Sequence, residues 1–315
     1  MTSAQAERNM SAAETPATQE PTPEWYKPPV KPEPEPIIDD GAALAAAYDV
    51  ELVPRQRRGA GVVVAVVSGK PGTGKSTLAA NLACAIARDH GMAVAVVDLS
   101  LQFGDQALMF DAGSSPSMID VLANIDSLTL DFMLECTHPA HGLRILGAPP
   151  SPELADPVNA NHLNQIIDQL KMIFDFVVLD TSSHLSDISL EAIDSADSLV
   201  LLLTTPYLAA VKDTKLLLRT MSDLGVPAAK LNAVLNRLEP ATKMGRDVLE
   251  ANLKFPISHV PGLLVDSVTD GVPLVLSKPS SNWGNRVAEL AGLIVDTSTA
   301  KARKPKRGFL LGRPR

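Results

Sequence analysis

Apolar and polar positions alternate along this chain on two length scales. Seven short runs are almost continuously apolar and rich in β-branched residues: GVVVAVVS (61 to 68), AVAVVDL (93 to 99), LRILGA (143 to 148), FDFVVLD (174 to 180), SLVLLLTT (198 to 205), LNAVLNR (231 to 237) and PISHV (256 to 260). Runs of that length without a polar face are strands covered on both sides. Between them, KSTLAANLACAIARDHG, NANHLNQIIDQLKMI, DISLEAIDSA, AAVKDTKLLLRTMSDLG and WGNRVAELAGLIV carry apolar residues at three- and four-residue spacing, the period of a helix packed on one face. Gly91 stops the first of them. The alternation predicts an α/β fold, a doubly wound and mainly parallel sheet with right-handed crossovers and a ligand crevice at the carboxyl ends of its strands. No fixed-period repeat interrupts it.

The pattern fails at both ends. Residues 1 to 40 contain eight prolines and few apolar side chains, too few to offset the entropy of ordering. Residues 1 to 57 are therefore expected to form a disordered proline-rich arm and linker, with a short helix over IIDDGAALAAAYDVELV and an aromatic pair, Trp25 and Tyr26, that is either a docking motif or a tolerated exposed pair. The domain is expected over 58 to 298, and a basic tail over 299 to 315.

The last 15 residues, KARKPKRGFLLGRPR, hold seven of the 28 Lys and Arg residues and no acid. The preceding 300 residues hold 21 basic and 36 acidic side chains, a net charge of −15, which argues against a body that wraps nucleic acid through a broad basic face. The sequence has no signal-peptide-like apolar core and no run of roughly 20 apolar residues, so a cytoplasmic protein is expected. Two cysteines, Cys84 in an apolar helix pattern and Cys136 alone, make neither a disulfide framework nor a CxxC metal site; buried thiols are expected. The tail's cations and its GFLLG tip suit a peripheral electrostatic contact with an anionic membrane, or simple solubilisation; its prolines and glycines oppose a long amphipathic helix.

The first strand runs into GKPGTGKST and then into a helix, which is the GxxxxGKS/T phosphate loop in its required context. Gly72 and Gly74 let the backbone turn tightly and approach phosphates, and the N–H groups at the helix start form an anion nest. Lys75 supplies a point charge for the β and γ phosphates, and the Ser76 hydroxyl can ligate Mg²⁺. Asp180, ending an apolar strand beside the loop, can hold a Mg²⁺-bound water; its other reading is a cap for the next helix.

Read as PGTGKS, the loop resembles that of AAA+ ATPases, which follow the acidic strand end with a glutamate; here Thr181 follows Asp180. Read as KPGTGKST, it resembles the deviant Walker A of the MinD/ParA family, KGGxGKS/T, with Pro71 in place of glycine. Downstream residues favour the second. VVDLSLQFGDQALMF resembles the DLxLQFGD form of the pilus-assembly branch called CpaE or TadZ, and HGLRILGAPPSPELA resembles its strand followed by Ala-Pro and Pro-Glu. FDFVVLD, VLNR and VPGLLVDSVTDGVPLVL are similar, in order, to the family's Walker B strand, its Asn-Arg strand end and its terminal Pro...Gly-x-Pro segment. The resemblance spans about residues 61 to 296.

It implies a P-loop domain that binds ATP with Mg²⁺ on Gly69, Lys70, Pro71, Gly72, Thr73, Gly74, Lys75, Ser76 and Thr77, with Asn236 and Arg237 at the adenine. Ser76, Asp180 and Asp98 are the implied metal-side residues, and Asp98 belongs to the switch that senses γ-phosphate, with a turn aspartate as its other reading. Lys70 matches the signature lysine that reaches across an ATP-dependent homodimer; otherwise it is a solvated loop lysine. Pro71 either aims Lys70 or removes a phosphate donor. Ser100 stands where the family usually has a second aspartate, and a serine orients water without accepting its proton in the same way, so slow hydrolysis is expected. Asp105 could compensate.

In function, the resemblance implies an ATPase that dimerises with ATP and helps localise or assemble a tight-adherence (Flp) type IV pilus machine, with pilus and secretion proteins at the inner membrane as partners. Members of that branch often carry a receiver-like domain where this sequence has its arm, so receiver-based targeting is not expected. Two other classes stay open: a MinD/ParA-type division or partition ATPase, and a nucleotide-gated binding module with negligible turnover. A tyrosine kinase with related motifs is disfavoured, because three tyrosines in the chain and none in the tail leave no terminal cluster.

Overall fold

A computed structural model of the chain describes residues 61–113, 116–204, 208–236, 257–260 and 271–303. The expected arm, Trp25 and Tyr26, Arg237, the middle of the 260 to 276 segment and the end of the tail lie outside the described residues.

Among the described residues, eight strands form one sheet: β1 (Val62–Val67), β2 (Val94–Leu99), β3 (His138–Ala140), β4 (Leu143–Leu146), β5 (Phe176–Thr181), β6 (Ser198–Thr204), β7 (Leu231–Asn236) and β8 (Ile257–Val260). Their order is β3-β4-β2-β5-β1-β6-β7-β8, and every neighbouring pair is parallel except β3 with β4. The helices among the described residues are α1 (Lys75–His90), α2 (Gln106–Met109), α3 (Met118–Leu122), α4 (Leu130–Glu135), α5 (Ala160–Ile173), α6 (Asp187–Ser195), α7 (Leu208–Asp223), α8 (Leu274–Ser277) and α9 (Asn282–Arg303).

Strand periodicity divides the interior in two. Val63, Ala65 and Val67 of β1, with Val177 and Leu179 of β5, face a core built with α5, α6 and α7. Val64, Val66, Phe176 and Val178 face the opposite core, built with α1, α8 and α9. In α9, Trp283, Val287, Leu290, Ala291, Ile294 and Val295 are buried, the spacing of a single packed helix face. Both cysteines are buried and free.

Three details depart from the pattern read in sequence. LRILGA leaves the sheet at Leu146, because Gly147 turns away to bridge Ser117 at the start of α3. The antiparallel β3, His-Pro-Ala, has no apolar run to announce it; it is held by a two-residue hairpin turn in which His141 (φ 48°) and Gly142 (φ 77°) are both left-handed. Its proline is at home on an edge strand. Finally, α9 continues through Arg303, past the expected domain edge at 298, on good helix formers after its apolar stripe has ended. Among the described residues, no helix is long and apolar enough to cross a membrane.

Candidate functional site

Strand parity fixes the site. Asp98 and Asp180 each lie one residue before the end of their strands, β2 and β5, and Asn236 ends β7; all three sit at positions that alternate onto the α1 face. Asp98 and Asp180 are register partners on adjacent strands. All three are buried, at 1%, 0% and 3% exposure, so three polar groups end apolar strands where α1 begins.

The loop between β1 and α1 has the geometry of an anion cradle. Gly72 (φ 72°) and Gly74 (φ 93°) adopt left-handed conformations that other residues take at a cost. Gly74 caps α1 with no side-chain hydrogen bond, and the first turn holds no acid of its own to meet the positive end of the helix dipole. Lys75 is buried and donates from Nζ to Ser183 Oγ at 2.6 Å, just beyond β5. Burial holds its pKa below the ordinary lysine value, and the Asp180 charge acts against that shift.

Below the loop lies a pair of buried carboxylates. Asp98 accepts from the Ser100 N–H on Oδ1 and from the Gln106 N–H on Oδ2, each at 3.0 Å. Asp180 accepts from Gln106 Nε2 at 2.9 Å on Oδ2, and a Ser76 side-chain hydrogen bond also favours its ionised form. Burial and the neighbouring Asp180 push the Asp98 carboxyl up to about 8; burial likewise raises Asp180. Gly104 closes the loop so tightly over Asp98 that a Cβ there would stand 2.5 Å from Oδ2 and collide with Ala148.

A folded-state pKa above the unfolded value means that the fold holds the proton, so this contribution to stability is full at low pH and is lost as pH rises towards about 8. The nucleotide-free protein is therefore expected to lose about 5 °C of melting temperature between about pH 6 and about pH 8.5. Thermal melts across that range, repeated with Mg²⁺ and ATP, check this: bound cation charge should flatten the slope.

The remaining expected residues divide. Lys70 pairs through Nζ with Asp213 Oδ2 of α7 at 3.2 Å, both half-buried, while Ser68 Oγ accepts from its N–H at 3.2 Å and donates to its carbonyl at 3.1 Å. Pro71 is exposed beside it. Ser100 starts the turn that leaves Asp98, its carbonyl accepting from Phe103 N–H. Asp105 is exposed before α2, and its charge raises the pKa of both Asp98 and Asp180. Thr77 is buried and its carbonyl accepts from Asn81 Nδ2 at 2.8 Å. Asn236 spends one of its two amide donors on the Thr73 carbonyl at 2.8 Å and leaves Oδ1 buried without a partner. Thr181, where AAA+ enzymes have glutamate, donates to the Val66 carbonyl at 2.7 Å and stitches β5 to β1.

Two residues escaped the sequence reading: Gln106, which touches Ser76, Asp98 and Asp180, and Ser183, which receives Lys75. The only signal in sequence was a buriable amide eight residues after Asp98, which no motif marks.

Four buried polar atoms here lack partners: Thr73 Oγ1, Gln106 Oε1, Asp180 Oδ1 and Asn236 Oδ1. Native interiors leave few such atoms without reason. A lysine, a hydroxyl, two carboxylates and orphaned acceptors around a helix start make a donor set that fits a metal-bound nucleotide.

Comparison with known proteins agrees. The family profile described as the CobQ/CobB/MinD/ParA nucleotide binding domain matches residues 64–269. An uncharacterized ATP-binding protein of Methanocaldococcus jannaschii is 26% identical over 255 residues, 79% of this chain and 94% of that one. A ParA family ATPase from Chlorobium tepidum shares the fold with a TM-score of 0.68 at 22% identity, over 74% of this chain and 99% of the other. So does the septum site-determining protein MinD of Pyrococcus horikoshii, solved with Mg-ADP, with a TM-score of 0.65 at 22% identity over 77% and 99%. With the profile covering well over half of its length, the chain belongs to the CobQ/CobB/MinD/ParA nucleotide-binding domain family.

Proposed function

We propose that the protein is an ATP-binding switch that dimerises with Mg²⁺-ATP, hydrolyses it slowly, and helps localise or assemble a Flp/tight-adherence type IV pilus machine at the inner face of the cell membrane. The observation that carries the nucleotide part is the convergence of Lys75, Ser76, Asp98 and Asp180 at one end of the sheet. The pilus part rests on the DLSLQFGD and APPSPEL resemblances.

The chain's own groups divide the work. The loop N–H groups and Lys75 bind the phosphates, and Ser76 and Asp180 would hold Mg²⁺, which when bound neutralises charge on the β and γ phosphates. Asp98 keeps the segment that follows it in place through two backbone hydrogen bonds. Ser100 can orient water but takes up its proton poorly, which supports slow turnover.

Lys70 supports the dimer reading in a specific way. Its pair with Asp213 is half-exposed, and such pairs contribute only about 0–1 kcal/mol, so the lysine is easily released to a partner. In sedimentation with ATP, Lys70→Ala is expected to weaken the dimer at least tenfold (about 1.4 kcal/mol). Asp213→Ala, which frees Lys70, is expected to tighten it about two- to fivefold. Equal behaviour of both variants would remove Lys70 from the interface. Phosphate release measured beside sedimentation tests the enzyme: dimers without turnover above buffer would make the protein a nucleotide-gated binding module.

A second reading is supported equally by the likeness to MinD and ParA ATPases: a division or partition positioning ATPase. Cells lacking the gene decide between the two. Loss of surface pili with normal septa and chromosomes supports the pilus role; misplaced septa or lost chromosomes in piliated cells supports the other. The acidic composition outside the last 15 residues disfavours nucleic acid as a partner. The basic tail suits peripheral contact with anionic lipid.

A further inference from the structure

Gln106 opens α2, is 0% exposed, and joins three motifs that are far apart in sequence. Its backbone N–H donates to Asp98 Oδ2 at 3.0 Å. Its side-chain Nε2 donates twice, to Asp180 Oδ2 at 2.9 Å and to the Ser76 carbonyl at 2.9 Å. Both amide protons are used, so the orientation is fixed: a flipped amide would set Oε1 against a carboxylate oxygen and a carbonyl. Oε1 consequently points away from these partners, and it is buried without one of its own.

A glutamine serving packing alone would settle its acceptor as well as its donors, because an unmet buried polar atom costs about 1–3 kcal/mol. The bonded neighbour has the same property. Asp180 receives Gln106 on Oδ2 and leaves Oδ1 buried and unmet. Two hydrogen-bonded side chains thus each hold back one acceptor, beside the hydroxyl-bearing Ser76.

We infer that Gln106 is the positioning residue of the metal side of this site: it clamps Asp180 to the phosphate-loop helix through Nε2 and offers Oε1 as an acceptor to the water shell of Mg²⁺. Because the same residue holds Asp98 through its backbone, filling that shell and fixing the segment from Ser100 to Phe110 become one event. The inference rests on the Mg²⁺-nucleotide reading given above.

The test is the ratio of affinities for a fluorescent ATP analogue measured with Mg²⁺ and with EDTA on the full chain. Gln106→Leu removes donors and acceptor at nearly constant length; Gln106→Asn keeps the amide but is too short to reach Asp180 and Ser76 together. Both are expected to lower the Mg²⁺-to-EDTA ratio at least tenfold and to raise the Mg²⁺ concentration needed for half-saturation. An unchanged ratio, or affinity lost by the same factor with and without metal, would mean a packing role and overturn the inference. Unvaried protein supplies a second measurement: the Ser100 and Gln106 amides are expected to exchange hydrogen at least tenfold more slowly with Mg²⁺-ATP than with ATP and EDTA, and equal rates would also overturn it. If the unvaried protein binds the analogue in neither condition, the nucleotide reading itself has failed, an outcome distinct from an unchanged ratio.

Discussion

Asp180→Asn is expected to lower Mg²⁺-dependent ATP turnover at least about a hundredfold while raising the melting temperature of the nucleotide-free protein near pH 8.5. The opposite signs share one cause. Asp98 and Asp180 share a dry site on paired positions of adjacent strands, burial raises both carboxyls, and rising pH sets the two against each other. Two like charges held together in such a site repel each other. An asparagine oxygen still accepts from Gln106 Nε2, so the clamp survives while the repulsion goes. A gain of about 1 kcal/mol would appear as about 2–4 °C. Asp98→Asn offers the contrast: Asp98 accepts two backbone N–H groups on two oxygens, and an amide meets one of them with a donor. It should lower the melting temperature. Scanning calorimetry and phosphate release on the two variants check both statements, and a fall in stability for Asp180→Asn would remove the charge-pair explanation.

Lys75→Met is expected to weaken ATP binding at least about a hundredfold, a loss of about 2.7 kcal/mol. Methionine keeps the buried stem and removes only the ammonium, so packing of α1 changes little. Without nucleotide, the same change takes away the cation that offsets Asp180. The melting temperature near pH 8.5 should therefore fall, where Asp180→Asn raises it. Calorimetric titration with ATP and a pair of thermal melts measure the two effects. Restored stability in the Lys75→Met, Asp180→Asn double variant would show that the two side chains act through their charges.

Much of this site was legible in the sequence because its constraints are local. Gly72, Gly74, Lys75 and Ser76 announce themselves by fixed spacing between a strand and a helix. Asp98 and Asp180 stand out as charges at the ends of apolar runs, and the parity that sends both towards α1 can be counted residue by residue. Gln106 could not be found that way. Its partners are eight, 30 and 74 residues distant, and only the turn closed by Gly104 brings its amide to them. The same holds for Lys70, whose ion partner Asp213 is 143 residues away on α7, and for Ser183 beneath Lys75. β3 was invisible for a different reason: its three residues carry no hydrophobic pattern, and the hairpin turn that makes it a strand is chosen by backbone conformation at His141 and Gly142.

The helix that carries Lys75 and Ser76 has almost no free face. From Lys75 to Ile86 every residue but Ser76 is buried, and Asn81 Oδ1 accepts from the Val275 N–H at 2.9 Å to tie α1 to α8. The loop after β2 is its opposite, with Phe103 79% and Leu108 63% exposed around the inward-facing Gln106. One half of the site is thus closed to change by packing, and the other presents an outer surface that is free to vary. A change at Phe103 or Leu108 therefore alters that outer surface without opening a cavity in the packed half of the site.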